Sequence, residues 1–140
     1  MLKRIVTALI VLALVGAGAA LAAAKSGTKV TLHSTSRGKV LATSTGRTLY
    51  LYTPDTKNHS NCYAGCAPTW PPLMTTGKPL AGTGVKKALL GTTKRTNGKL
   101  QVTYNGHPLY RYTGDSGAGQ ANGEGYLGIW YVVKASGAKG

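Results

Sequence analysis

The chain contains no phenylalanine and only three acidic residues, Asp55, Asp115 and Glu124, against 17 Lys and Arg in 140 residues. Without Phe, the aromatic content falls to eight Tyr and two Trp, rings whose hydroxyl or N–H needs a partner when buried. With Glu nearly absent and Gly, Thr and Ser abundant, helix signals after residue 24 are poor, and no segment carries a long 3.6-residue apolar period. The chain has only two cysteines, Cys62 and Cys66. Neither lies near the N-terminal boundary, so a lipid anchor on a mature N-terminal Cys is excluded. No His follows the second Cys, which leaves c-type haem attachment unsupported. The basic residues occur as singles and pairs such as Lys86-Lys87 and Lys94-Arg95, with no arginine-rich helix and no recognisable nucleic-acid motif. Specific nucleic-acid binding is therefore not expected.

What is present begins with a targeting pattern. Lys3 and Arg4 precede an apolar run over 5–15, and Ala22-Ala23-Ala24 fits a small-residue cleavage site. Residues 1–24 are expected to be a signal peptide, with the mature chain starting near Lys25. Cleavage removes two positive charges, so the formal charge falls from +14 to +12. An uncleaved segment would be the chain's only membrane attachment. Such an excess of positive charge favours anionic partners and salt-sensitive association. For an exported protein the expected partner is an anionic envelope polymer or glycan.

A sixty-residue repeat organises the rest. Tyr50-Leu51-Tyr52-Thr53-Pro54-Asp55 returns as Tyr110-Arg111-Tyr112-Thr113-Gly114-Asp115. At the same offset Gly38-Lys39 match Gly98-Lys99, Thr43 matches Thr103, Gly46 matches Gly106, Leu49 matches Leu109, Gly65 matches Gly125 and Trp70 matches Trp130. A fixed period marks a repeat architecture. Short period-two runs bounded by Gly, Asn and Pro read as strands. They fall at 30–34, 39–43, 48–52, 88–90, 100–104, 109–112 and 129–133. Asn105-Gly106 is a strong hairpin signal, with Thr45-Gly46 its weaker counterpart. The expected fold is all-β. Two tandem antiparallel meanders, about 29–73 and 88–133, pack as one small sandwich or barrel with pseudo-two-fold symmetry. One domain spans 25–134, and the tail 135–140 is expected to be disordered.

The chemistry-bearing candidates follow from this frame. Tyr50 and Tyr52 share one strand face, as do Tyr110 and Tyr112, with Leu49 and Leu51 or Leu109 and Arg111 opposite. Arg111 in the place of Leu51 marks a wetter face. The four Tyr with Trp70 and Trp130 read as an aromatic core, or else as a stacking platform for sugars. Asp55 and Asp115 sit where strand becomes loop, suited to accepting backbone N–H groups. A hydrolase using them as paired carboxylates is the weaker alternative. Cys62 and Cys66 are expected to form a disulfide in an exported chain. The other reading is a copper site of His59, Cys62, Cys66 and Met74, whose imidazole, thiolate and thioether groups suit that metal. No catalytic residue is assigned. Pro71 and Pro72 after Trp70 force an edge or irregular strand there.

The doubled YLYTPD/YRYTGD, the Cys-x3-Cys-x3-Trp-Pro-Pro-Leu element and the closing Gly-Ile-Trp-Tyr-Val-Val resemble the bacterial secreted-repeat proteins known by a Y-x-[FWY]-x-x-D motif, many of them predicted lipoproteins. The resemblance covers about residues 38–133. It implies an exported or envelope-associated protein with two repeat copies and brings no settled activity. The lack of a lipid-accepting Cys sets this chain apart from the lipoprotein members.

Overall fold

The computed structural model describes residues 27–140; the expected signal segment, 1–24, lies outside them. Strands β1 (Lys29–Thr35), β2 (Gly38–Thr43) and β3 (Tyr50–Tyr52) build the first half, followed by β4 (Met74–Thr75) and β5 (Leu80–Ala81). The second half contains β6 (Leu90–Lys94), β7 (Leu100–Tyr104), β8 (His107–Pro108) and β9 (Trp130–Val132). Two single 3-10 turns, Lys87–Leu89 and Tyr126–Gly128, complete the elements. Where strand was expected over 88–90, the first of these turns leads into β6 instead. Among the described residues no helix is long and apolar enough to cross a membrane.

The sheets are open and packed like a sandwich, with orders β2-β1-β5, β3-β9 and β4-β7-β6, β8 adding to β7. Pairing is antiparallel except for β1 with β5. Over the described residues the fold is thus all-β and two-repeat, with no closed barrel. β1–β2 in the first half corresponds to β6–β7 in the second.

The repeat register differs from the sequence offset in one strand. Leu49 N–H donates to Leu41 C=O, and Leu109 N–H donates to Val102 C=O. Likewise Ala42 opposes Thr48 as Thr103 opposes Pro108. β2 and β7 therefore match at an offset of sixty-one, while the flanking strands keep sixty. The cause is turn length. Arg95 N–H reaches Lys99 C=O around a three-residue turn where β1–β2 has two, and Thr43 N–H reaches Arg47 C=O around three where Tyr104–His107 spans Asn105-Gly106 alone. One added residue and one lost residue cancel. Asn105 (φ 50°) and Gly106 (φ 79°) both take the left-handed conformation that a two-residue hairpin requires. The slip is enforced by burial. It puts Leu41 and Val102 in one core, whereas the sequence offset would have equated Leu41 with Gln101.

Two apolar clusters result. One holds Val30, Leu41, Leu49, Leu51, Val102, Tyr104, Leu109 and Val133, and the other holds Val40, Tyr50, Cys62, Trp70, Tyr110, Trp130 and Val132. β3 runs between them, since Leu51 faces the first and Tyr50 the second. Pro71 and Pro72 have the predicted effect. The stretch opposite Tyr110 forms only an isolated Pro72–Tyr110 bridge, where its counterpart is the regular β3–β9 pair.

The tail contradicts the expectation of disorder. Lys134 N–H donates to Ala138 C=O, Gly140 N–H donates to Val132 C=O, and Val133 bridges Lys139. Tyr104 hydroxyl donates to Ala135 C=O at 2.6 Å while accepting from Lys86 N–H at 3.0 Å. One buried phenol thus ties down both the inter-repeat linker and the C-terminus.

Candidate functional site

The motif residues meet across the repeat boundary. Tyr50 and Tyr110 exchange both backbone N–H···O=C bonds, at 2.8 and 3.0 Å, so the pseudo-two-fold axis passes between them. From there each phenol reaches the carboxylate of the other repeat. Tyr50 Oη donates to Asp115 Oδ2 at 2.6 Å, and Tyr110 Oη donates to Asp55 Oδ2 at 2.7 Å. The second oxygen of each carboxylate accepts a loop N–H, Asn61 to Asp55 at 2.7 Å and Asn122 to Asp115 at 2.9 Å. The side chains of Asn61 and Asn122 donate back to the carbonyls of Pro54 and Gly114.

That symmetry places Asn61 against Asn122 and Cys62 against Gly123, one residue off the sequence offset. The reason is again a loop longer by one residue in the second copy. Gly123 fits because a Cβ there would lie 2.6 Å from Trp70 and 2.9 Å from Tyr50. In the first copy the same place holds Cys62, bonded to Cys66 across a Cα–Cα distance of 5.2 Å. Closing so short a ring stabilises the fold by about 2 kcal/mol in the chain-entropy account.

The rings assemble with the same exchange. Trp70 and Trp130 stack at 3.8 Å, nearly parallel, and are 3% and 2% exposed. Tyr112 stacks on Trp70 at 4.2 Å, and Tyr52 stacks on Trp130 at 4.3 Å. Tyr50 and Tyr110 meet Trp70 and Trp130 edge-on at 5.3 and 5.2 Å. Stacked and edge-on pairs each add about 1 kcal/mol beyond area burial. The two indoles that sequence offers as a sugar platform cover each other.

Burial sets the electrostatics. Desolvation, helped by the neighbouring carboxylate, pushes the Tyr50 and Tyr110 phenols well above their ordinary value. Desolvation also raises Asp55 above the usual carboxylate range, outweighing the bonds from Tyr110 and Asn61 that act the other way. Glu124 accepts from Val132 N–H at 2.7 Å. All three carboxylates thus serve neutral donors within the fold. Among the described residues no buried side-chain polar atom lacks a partner.

One half carries an addition that sequence reading missed. Arg95, 8% exposed, donates to Ser60 Oγ at 2.9 Å, Gln101 Oε1 at 2.8 Å and Cys62 C=O at 2.6 Å, and its guanidinium lies 4.2 Å from the centroid of the Tyr63 ring. Ser60 Oγ in turn shares a hydrogen with Tyr110 Oη at 2.6 Å. Arg95 is therefore wired to Asp55 through Ser60 and Tyr110. In sequence it looks like half of a surface Lys94-Arg95 pair, and nothing there signals burial.

Asp55 and Asp115 line separate cavities, the first with Tyr52 and His107, the second with Arg47 and Arg111. The hydrolase reading needs them to flank one substrate bond, and this arrangement lends it no support. The copper reading needs thiolates, and both sulfurs are held in the disulfide, while His59 is exposed and Met74 lies on β4. Among the described residues no three His, Cys, Asp or Glu side chains converge as a metal site.

Fold and site together define a two-repeat β module whose halves are locked by exchanged Tyr–Asp bonds around a shared aromatic stack. The chain belongs to a family described as a secreted repeat of unknown function, whose profile matches residues 31–74 and 91–134. Searches of curated proteins and of solved structures find no match.

Proposed function

We propose that the protein is exported, processed near Lys25, and works outside the cytoplasm as a non-catalytic binding module for an anionic envelope polymer or acidic glycan, without a lipid anchor. One observation carries this reading. The three carboxylates are engaged by tyrosine hydroxyls and backbone N–H groups, so the exposed Lys and Arg stand against no free acidic surface. A chain of +12 with its acids turned inward attracts anions over its whole surface. The aromatic core supports a scaffold role for the motif, since its rings stack on one another. The disulfide fits an oxidising compartment.

The test is a titration of purified mature protein against soluble anionic polymers at low and physiological ionic strength. Affinity should fall steeply with salt. Affinity insensitive to salt, or no binding to any polyanion, would refute the reading. Intact-mass measurement of the exported protein checks the processing step, and residues 1–24 still attached would contradict it.

A further inference from the structure

The two repeats offer an internal comparison. Each has a hollow beside its motif strand, and the hollows are lined by equivalent positions: Leu51, Tyr52, Thr53 and Asp55 in one, Arg111, Tyr112, Thr113 and Asp115 in the other. The first is also lined by Gly137, Ala138 and Lys139 of the folded tail. Its remaining wall has His107, whose imidazole burial holds below its ordinary value. No tail residue lines the second. Arg47 stands where His107 stands in the first, and Arg111, exposed, replaces the 3% exposed Leu51.

Arg47 and Arg111 also line an adjoining hollow with Thr43, Pro72 and Met74, the two having volumes of about 390 and 350 Å³. Sharing both arginines and Thr45, they form one trough. Arg47 is positioned, because its Nη1 donates to the Asp115 C=O at 2.5 Å. That bond leaves most of its five N–H donors for another acceptor. The one acid in the lining, Asp115, is 4% exposed, with its oxygens held by Tyr50 and Asn122.

We propose that this trough is the ligand site of the module, and that it takes the phosphodiester groups of an anionic polymer against Arg47 and Arg111. The inference rests on the anion-binding reading above and gives it an address. Arg guanidinium groups bind phosphate oxygens in a fork, which adds geometry to charge. A phosphodiester carries its charge along the chain itself, slim enough for an open trough. A uronate carries it on a ring.

The test uses two variants with nearly equal loss of positive charge. Arg47→His/Arg111→Leu installs the residues that the other hollow already carries, so the fold has precedent for both. Lys86→Ala/Lys87→Ala removes the same charge from the linker. Arg111→Gln, at an exposed side chain, serves as the variant least able to disturb folding. All are titrated with soluble poly(glycerol phosphate) at physiological ionic strength, alongside a polyuronate and phosphatidylglycerol vesicles. The arginine pair should weaken polymer binding by about tenfold or more, and Arg111→Gln by about threefold. The lysine pair should change it by less than about twofold. Equal losses from both pairs would overturn the site while leaving the general anion-binding reading standing. Equal affinity for the polyuronate, or binding to vesicles alone, would overturn the assignment to polymer phosphodiesters. Failure of the unmodified protein to bind any of the three, at low ionic strength as well as physiological, would defeat both readings.

Discussion

At the scale of single residues, the motif works because a tyrosine and an aspartate from different repeats supply what the other lacks. A buried phenol needs an acceptor, and a buried carboxylate needs donors. Tyr50→Phe removes a bond to a carboxylate and also strips the acceptor from Gly123 N–H. It should lower stability by about 1.5–3 kcal/mol, the scale of hydrogen bonds to charged groups. Tyr110→Phe should cost as much and also break the route from Arg95 through Ser60 to Asp55. Denaturant unfolding of both variants checks these values. The same phenols set an alkaline limit. Both have folded pKa values raised above that of a free phenol, about 10. The native state then holds more protons than the unfolded state, so stability is full below about pH 10 and declines as pH rises beyond it. Ultraviolet titration should show at least two tyrosines, Tyr50 and Tyr110, ionising only as the protein unfolds. All eight ionising near the ordinary value in folded protein would contradict this.

At the scale of elements, turns and loops decide which residues correspond. The sixty-residue identity period made Gly46 and Gly106 look equivalent, and both are positive-φ turn residues. They close turns of different length, so β2 and β7 slip by one residue, and only side-chain alternation against a core reveals it. Identity of Gly, Lys and Thr at turn edges carries too little packing information to expose the slip. By contrast, the shared face of Tyr50 and Tyr52, the irregular strand at Pro71-Pro72 and the Cys62–Cys66 bond were all legible, because period-two geometry, a missing N–H and close Cys spacing act locally. The order of Ala135–Gly140 is hidden by linker-like composition: it comes from a turn closed on Lys134, a return bond to Val132 and the hydroxyl of Tyr104, distant in sequence. The loop pair yields a specific expectation. Gly123→Ala should destabilise by about 1–3 kcal/mol through contact with Trp70 and Tyr50, measured as a fall in unfolding midpoint. Gly65→Ala, where an added Cβ meets nothing within 4 Å, should be close to neutral. Reducing the disulfide should cost about 2 kcal/mol without dismantling the sheets.

At the scale of the whole molecule, the halves are one folding unit. Which aspartate each tyrosine would reach was invisible in the sequence, since both repeats carry both groups and nothing local prefers the distant partner. The structure makes the exchange reciprocal, with the Trp70–Trp130 stack between. Residues 27–86 expressed alone should therefore show no cooperative unfolding transition, because Tyr50 loses Asp115 and Trp70 loses its partner ring. A sharp melting transition in that fragment would mean that each repeat is a domain in its own right.

We propose a division of labour: the exchanged Tyr–Asp bonds hold the two repeats together, and ligand recognition belongs to basic side chains that take no part in those bonds, Arg47 and Arg111 among them. The most direct test is to measure polyanion affinity of Tyr50→Phe/Tyr110→Phe well below its melting temperature. The account predicts a clear loss of stability with affinity within about twofold of the unmodified protein, since no surface charge has changed. Stability left intact with binding abolished would contradict it and place the ligand on the Tyr–Asp pairs themselves.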